Sequence, residues 1–261
     1  MQEKYDAIGK NYNLTRRADP YLVERMYYWL VRARRRRLLD IGCGTGNYTI
    51  ALSERDLQFT GVDPSERMLI EARQKSHDIK WRLGKAESIP LPDDTMDGAL
   101  ASLTLHHWDS LEKGFKELYR VVKPQGRLVI FTSTPAQMRG YWLNYFFPKM
   151  LQDSIVQMPD YEIVEHNLQN AGFGIVSLEQ YFVQPDLQDL FLYSGKHNPA
   201  LYLNARVRSG ISSFAALANA EEVSQGLNAL QEAIQTKEIE QIIQQYQNDL
   251  GDYLFIIARK P

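Results

Sequence analysis

The chain carries one cysteine, Cys43, among its 261 residues. No internal disulfide can form, and a zinc site built on several thiolates is excluded. A chain without disulfides fits a reducing compartment, so a cytoplasmic location is the expectation. Long apolar runs are also missing. None reaches the roughly 18 to 20 residues that a membrane-spanning helix needs, and the opening MQEKYDAIGK lacks the apolar stretch of a secretion signal. Neither sign of charge dominates: 30 Lys and Arg face 32 Asp and Glu, for a formal net charge of -2. Such a balance argues against nonspecific attraction to nucleic acid or membrane. Internal repeats and low-complexity tracts are absent. One charge run stands out, Arg32 and then Arg34 to Arg37. It follows a helical pattern and precedes an apolar strand, a place where cations favour a helix C-terminus.

What is present is an ordinary globular composition, 44% hydrophobic and 24% charged. Asp19 followed by Pro20 reads as a helix start, with Leu22, Val23, Met26, Tyr27 and Leu30 at helical spacing. Leu38, Leu39 and Ile41 form a short strand that runs into a glycine-rich turn, and a helix resumes over 47–54. A second strand over 57–62 ends at Asp63, and Pro64 and Ser65 open a helix to about Lys75. Further strands are expected at 79–83, 96–102 and 127–132, with a helix at 110–121 and a turn at 123–126. Strands alternating with helices in this way predict a parallel sheet covered on both faces, an α/β fold. Such sheets bind ligands beyond the carboxyl ends of their strands, near the point where strand order reverses.

Beyond residue 132 the texture changes. Residues 135–159 are rich in aromatics, 160–171 are helical, 174–183 read as a strand and 252–258 as a strong last strand. The stretch between those strands is far too long for a hairpin loop and has helical patterning. It is expected to be a helical insertion, serving as a lid or an oligomer surface. The expected organisation is a helical cover segment over 1–35, a core over 36–183, the insertion over 184–249 and a final core strand over 250–261.

The chemistry centres on Asp40-Ile41-Gly42-Cys43-Gly44-Thr45-Gly46. Alternate glycines between strand and helix let a ligand approach bare backbone. Dinucleotide sites use GxGxxG to receive a pyrophosphate. Here the spacing is GxGxG, and Asn47 stands at the would-be third glycine. The carboxylate of Asp40 would repel a pyrophosphate and attract an ammonium or a sulfonium. Asp63, at the end of the second strand, can accept hydrogen bonds from both hydroxyls of a ribose. Nicotinamide and adenosyl cofactors share that feature, and Asp63 could equally cap the following helix.

Four segments, LLDIGCGTGNYT, FTGVDPSERMLIEAR, GKAESIPLPDDTMDGALASLTLHH and ELYRVVKPQGRLVIFT, resemble the successive motifs of the class I S-adenosylmethionine-dependent methyltransferases. The look is nearest to the quinone-biosynthesis C-methyltransferases and the small-molecule O- and N-methyltransferases. The resemblance spans residues 36–132 and, more weakly, 5–20. It implies a Rossmann-like seven-stranded sheet, parallel except for its last strand, and S-adenosyl-L-methionine as cofactor. By position, Asp40, Gly42, Gly44 and Gly46 would hold the methionine end and Asp63 the ribose. Pro64 and Met68 would border the adenine, with Ala86 and Glu87 at its edge. Lys85 stands where many relatives carry an aspartate, and it cannot accept from the adenine amino group. Ser102 and Leu103 would lie under the transferring methyl.

The same resemblance places the segment YDAIGKNYNLTRRADP over the cofactor, with Tyr5 and Tyr12 presenting hydroxyls and Arg16 facing an anionic group. His106 or His107 would take the acceptor's proton, or both would be structural. Tyr141, Trp142, Tyr145 and Phe146 would line an apolar or planar acceptor, or pack in the core, or form a dimer face. No metal site is expected. The function expected is methyl transfer to O, N or C of a small-molecule acceptor, without nucleic acid as partner. An RNA or protein methyltransferase and a non-catalytic cofactor-binding protein are the alternatives.

Overall fold

The computed structural model describes residues 15–31 and 37–261, so Tyr5, Tyr12 and the arginine run up to residue 36 lie outside the described residues. Seven strands form one sheet: β1 (Arg37–Ile41), β2 (Gln58–Asp63), β3 (Lys80–Leu83), β4 (Met96–Ser102), β5 (Val122–Thr132), β6 (Gly174–Tyr181) and β7 (Tyr253–Arg259). Their order is β3-β2-β1-β4-β5-β7-β6. Only β7 runs against its neighbours, pairing antiparallel with both β5 and β6. Strand order reverses between β1 and β4, so the crevice beyond Ile41 and Ser102 is where this topology opens a ligand site.

Local chemistry explains the helices. α1 (Pro20–Leu30) starts with the Asp19 carboxylate accepting the Leu22 amide at 3.0 Å and buries Leu22, Val23, Met26 and Leu30. α2 (Asn47–Ser53) follows the glycine turn, and α3 (Glu66–Lys75) is capped by Ser65. α4 (Leu111–Val121), capped by Ser110, turns Phe115, Leu118 and Val121 onto the sheet. Three helices carry the aromatic segment: α5 (Pro135–Arg139), α6 (Leu143–Phe146) and α7 (Pro148–Gln157). α8 (Tyr161–Ala171) ends where Gly172 takes a left-handed φ of 102°.

Between β6 and β7 the chain is helical, with a 3-10 turn at Pro199–Leu203 and then α9 (Ala205–Ser209), α10 (Ser212–Ala216), α11 (Ala220–Thr236) and α12 (Glu238–Gln245). This insertion shares one hydrophobic core with the sheet: Leu230, Ala233 and Ile242 belong to the same buried cluster as Leu38, Val129, Phe131 and Phe255. A second core on the other face gathers Leu39, Ile41, Ile130 and Ile256 with Phe115, Leu118 and Leu168. Among the described residues no helix is long and apolar enough to cross a membrane.

Two of the boundary differences from the sequence expectation have a visible cause. β5 begins at Val122, passing through the segment expected to be a turn. The turn residues are drawn into the ladder by the far end of the chain: Gln125 N–H donates to the Lys260 carbonyl at 2.8 Å and Lys260 N–H to the Gly126 carbonyl at 3.0 Å. A register shift between Met96 and Gly98 absorbs the extra residues, and Gln125 takes a left-handed φ of 68°. β6 stops at Tyr181, short of Val183, whose amide donates instead to the Asp252 carboxylate at 2.7 Å.

Candidate functional site

The glycine turn is built by backbone that only glycine adopts easily. Gly42, Gly44 and Gly46 have φ of 73°, 54° and 78°. The Gly42 and Cys43 amides both donate to the Val62 carbonyl, at 2.8 and 3.2 Å, which ties the turn to the end of β2. A Cβ on Gly42 would stand 2.1 Å from Thr104 Oγ1, so the exit of β4 crosses directly against the turn. At Gly44 the corresponding position has no atom of the described residues within 4 Å. Among the described residues, bare backbone is therefore uncovered at that position.

Two carboxylates frame the turn. Asp63, 7% exposed, accepts the Gly44 amide at 2.8 Å and the Ser65 amide at 2.9 Å. It thus links the glycine turn to the start of α3, while Ser65 caps that helix. Asp40 is buried, and its Oδ2 accepts the Thr49 hydroxyl at 2.6 Å. Burial raises its carboxyl to about 7; the Thr49 hydrogen bond opposes that rise, and the charge of Asp63 adds to it.

The exit of the turn is held from outside. Lys75 Nζ donates to Thr45 Oγ1 at 2.9 Å, to the Thr45 carbonyl at 3.2 Å and to Asn47 Oδ1 at 2.8 Å. The Trp81 ring fills the space that side chains at Gly46 and Gly61 would need. Cys43 sits among these groups, its thiol pushed up by burial and by the neighbouring Asp40 and Asp63 charges, which leaves it a poor nucleophile.

Beyond β4, Ser102 is half-buried and Leu103 takes a φ of 51°, a left-handed value unusual for leucine, while its amide donates to the Phe131 carbonyl at 2.7 Å. The next turn, Leu105–His107, sets the rings of His106 and His107 3.8 Å apart. Met68 is buried and Pro64 half-buried at the start of α3. Ala86 is buried, and Glu87 accepts the Ser110 amide at 3.1 Å, so its carboxylate serves the N-terminus of α4. Lys85 points to Asp109 at 3.4 Å, with both side chains largely exposed.

The remaining sequence candidates come from the segment before α1 and from the aromatic helices. The guanidinium of Arg16 binds the carboxylate of Asp189 through Nε and Nη2. Tyr141 stacks on Tyr193 with centroids 3.9 Å apart, and its hydroxyl donates to the Asp252 carbonyl. Trp142 donates to the Lys196 carbonyl at 3.2 Å and meets Phe146 and Tyr202 edge-on. Tyr141, Trp142 and Phe146 are buried in the core shared with the insertion, whereas Tyr145 is 50% exposed. Sequence reading missed Thr49, Asn47, Lys75, Thr104 and Asp189. Only Asn47 carried a signal, as the polar residue at the end of a glycine motif.

Comparison with known proteins follows the same lines. A model of the methyltransferase domain family matches residues 39–130. An uncharacterized methyltransferase of Mycobacterium tuberculosis (strain ATCC 25618 / H37Rv) is 38% identical over 113 residues, 43% of this chain and 46% of that protein. The chain thus spans about half the length of that relative. The demethylmenaquinone methyltransferase of Desulfitobacterium hafniense (strain Y51) is 31% identical over 179 residues, 54% of this chain and 71% of that protein. Among solved structures, a candidate methyltransferase from an antibiotic biosynthesis pathway of Anabaena variabilis ATCC 29413 superposes with a TM-score of 0.84 at 32% identity, covering 94% of this chain and 98% of that one. The chain belongs to the class I S-adenosylmethionine-dependent methyltransferase family.

The residues present fit that family's cofactor. A sulfonium donor with a ribose diol needs bare backbone, a diol acceptor and anionic rather than cationic surroundings. Gly44 would supply the first, Asp63 the second, and Asp63, joined by Asp40 once it ionises, the third.

Proposed function

We propose that this protein transfers the methyl group of S-adenosyl-L-methionine to O, N or C of a small-molecule acceptor. The observation that carries the reading is the pairing of Asp63 with the Gly44 amide at the open side of a turn of left-handed glycines. When bound, the donor supplies an electrophilic methyl on a positively charged sulfur. The chain's own part is to align that donor and the acceptor, exclude water and accept a proton where the acceptor carries one. Asp63 places negative charge beside the turn, Asp40 adds to it as it ionises near about 7, and Asp63 is the acceptor for the ribose hydroxyls. His106 and His107 lie in the turn that follows β4 and are the candidates for proton removal.

A small-molecule acceptor is supported by the relatives, one named for a quinone precursor and one for an antibiotic pathway. The near-neutral charge balance also supports it, because a nucleic-acid methyltransferase needs a broad basic surface. The test has two stages. Calorimetric titration with S-adenosylhomocysteine should show saturable binding, and no heat and no thermal shift would end the reading. Incubation with methyl-labelled donor and separate small-molecule, RNA and protein fractions should then label the small-molecule fraction. Label confined to RNA or protein would move the acceptor to that class.

A further inference from the structure

Asp189 is the least exposed carboxylate among the described residues, with 1% of its surface accessible, yet in sequence it lies far from the motifs that mark the site. A buried carboxylate is tolerable only when its charge and lone pairs are matched. The match here comes from two distant parts of the chain. Arg16 binds both oxygens in a forked pair, with Nη2 at 3.1 Å from Oδ2. Tyr48, the second residue of α2, donates its hydroxyl to the same Oδ2 at 3.0 Å. The carboxylate therefore joins the segment before α1, the helix that leaves the glycine turn, and the loop that leads into the insertion.

Other bonds reinforce the same three-way junction. Asn47, the residue directly after Gly46, donates its side-chain amide to the Arg16 carbonyl at 2.9 Å. Its Oδ1 accepts Lys75, so one side chain is held from both sides. The Leu190 amide donates to the Thr15 carbonyl at 3.0 Å, and the Gln188 amide to Asp19 Oδ2 at 3.0 Å. Thr15 itself packs so closely on Gly210 that a Cβ there would meet its hydroxyl at 1.7 Å. Residues 15–19 are thus strung between the first turn of α2 and the insertion, and Asp189 is the only charged group of the insertion's leading loop that reaches both.

We propose that Asp189 is a positioning residue for donor binding. Through Arg16 and Tyr48 it fixes the first turn of α2, and with it the exit of the glycine turn, against the segment that precedes α1. The effect passes through Arg16 and Tyr48, and Asp189 itself does not touch the donor. This inference rests on the glycine turn being the donor site.

The experiment is calorimetric titration of the full chain with S-adenosylhomocysteine, paired with thermal melting of each protein without ligand. The variants are Asp189→Asn, Arg16→Gln, the double variant, Arg16→Lys and Tyr48→Phe. Wild type must bind first, since its failure to do so would sink the donor site itself rather than this inference. Given that binding, Asp189→Asn and Arg16→Gln should each weaken affinity about tenfold. The double variant should be no weaker than the worse single one, because both remove the same link. Arg16→Lys keeps the charge without the fork and should recover part of the loss. Tyr48→Phe removes one hydroxyl and should cost about threefold, which keeps the test open if Asp189→Asn fails to fold. Wild-type affinity in Tyr48→Phe and in whichever Asp189 or Arg16 variants fold, with only the melting temperature lowered, would overturn the proposal. So would losses that add independently in the double variant.

Discussion

The carboxylate of Asp63 accepts the amide of Gly44 at 2.8 Å, so the acid that ends β2 already holds the turn that ends β1. The same side chain accepts the Ser65 amide at 2.9 Å. One residue therefore ties two backbone segments together at the place where the proposed function puts the ribose diol.

Replacing Asp63 with Ala should weaken S-adenosylhomocysteine binding at least tenfold in calorimetry. It should also cost about 1–3 kcal/mol of stability, because two amides lose their acceptor. Unchanged affinity with lowered stability would assign Asp63 to loop structure alone.

Gly42 and Gly44 should respond differently to alanine. At Gly42 the added methyl meets Thr104 Oγ1 at 2.1 Å, so the variant should unfold more readily and lose binding together. At Gly44 no atom of the described residues lies within 4 Å, and the cost to folding is the left-handed strain, about 1–2 kcal/mol. Its methyl would occupy the open side of the turn, so binding should fall more than tenfold while the chain stays folded. Denaturant melts and titration of both variants check this, and equal behaviour would contradict it.

Asp40 predicts a pH dependence of defined sign. Its folded carboxyl lies at about 7 against an ordinary 3.8, so the folded chain holds a proton that the unfolded chain releases. The stability this contributes is complete below the ordinary value and is lost as pH rises through about 7. Melting temperature should decline over that window in wild type and decline less in Asp40→Asn. Affinity for the cationic donor should run oppositely, rising as Asp40 ionises, and Asp40→Asn should flatten that rise too. A profile identical in both proteins would remove Asp40 from the account.

The histidine pair separates binding from turnover. His107→Ala should slow methyl transfer more than tenfold and leave S-adenosylhomocysteine affinity within about twofold, as expected for a group acting in proton removal. Equal turnover would leave His107 a packing partner of His106, whose ring lies 3.8 Å away.

Much of the core was readable from local pattern. The alternation of strands and helices from Leu38 to Thr132 is a run of short-range signals, and the glycine spacing with Asp63 beyond it marks the strand ends where a parallel sheet opens. The start of β5 was not readable, because Lys123 to Gly126 has turn chemistry and joins the ladder only through Lys260, at the other end of the chain. Lys75 looked like the basic end of an ordinary helix, and nothing nearby in the sequence shows that Thr45 and Asn47 wait for it. The aromatic run was visible as a cluster, yet its partners Tyr193, Tyr202 and Asp252 come from the insertion and the start of β7.

By itself the sequence determined the α/β sheet, the glycine turn and the acids beside it, because backbone freedom and strand or helix periodicity act over a few residues. Only the tertiary structure decided that Arg16 meets Asp189 and Tyr48, that the insertion shares the core of Phe131, and that Asp40 is buried enough to hold its proton. Those outcomes depend on which distant surfaces exclude water together, and burial of that kind leaves no mark in any local stretch of chain.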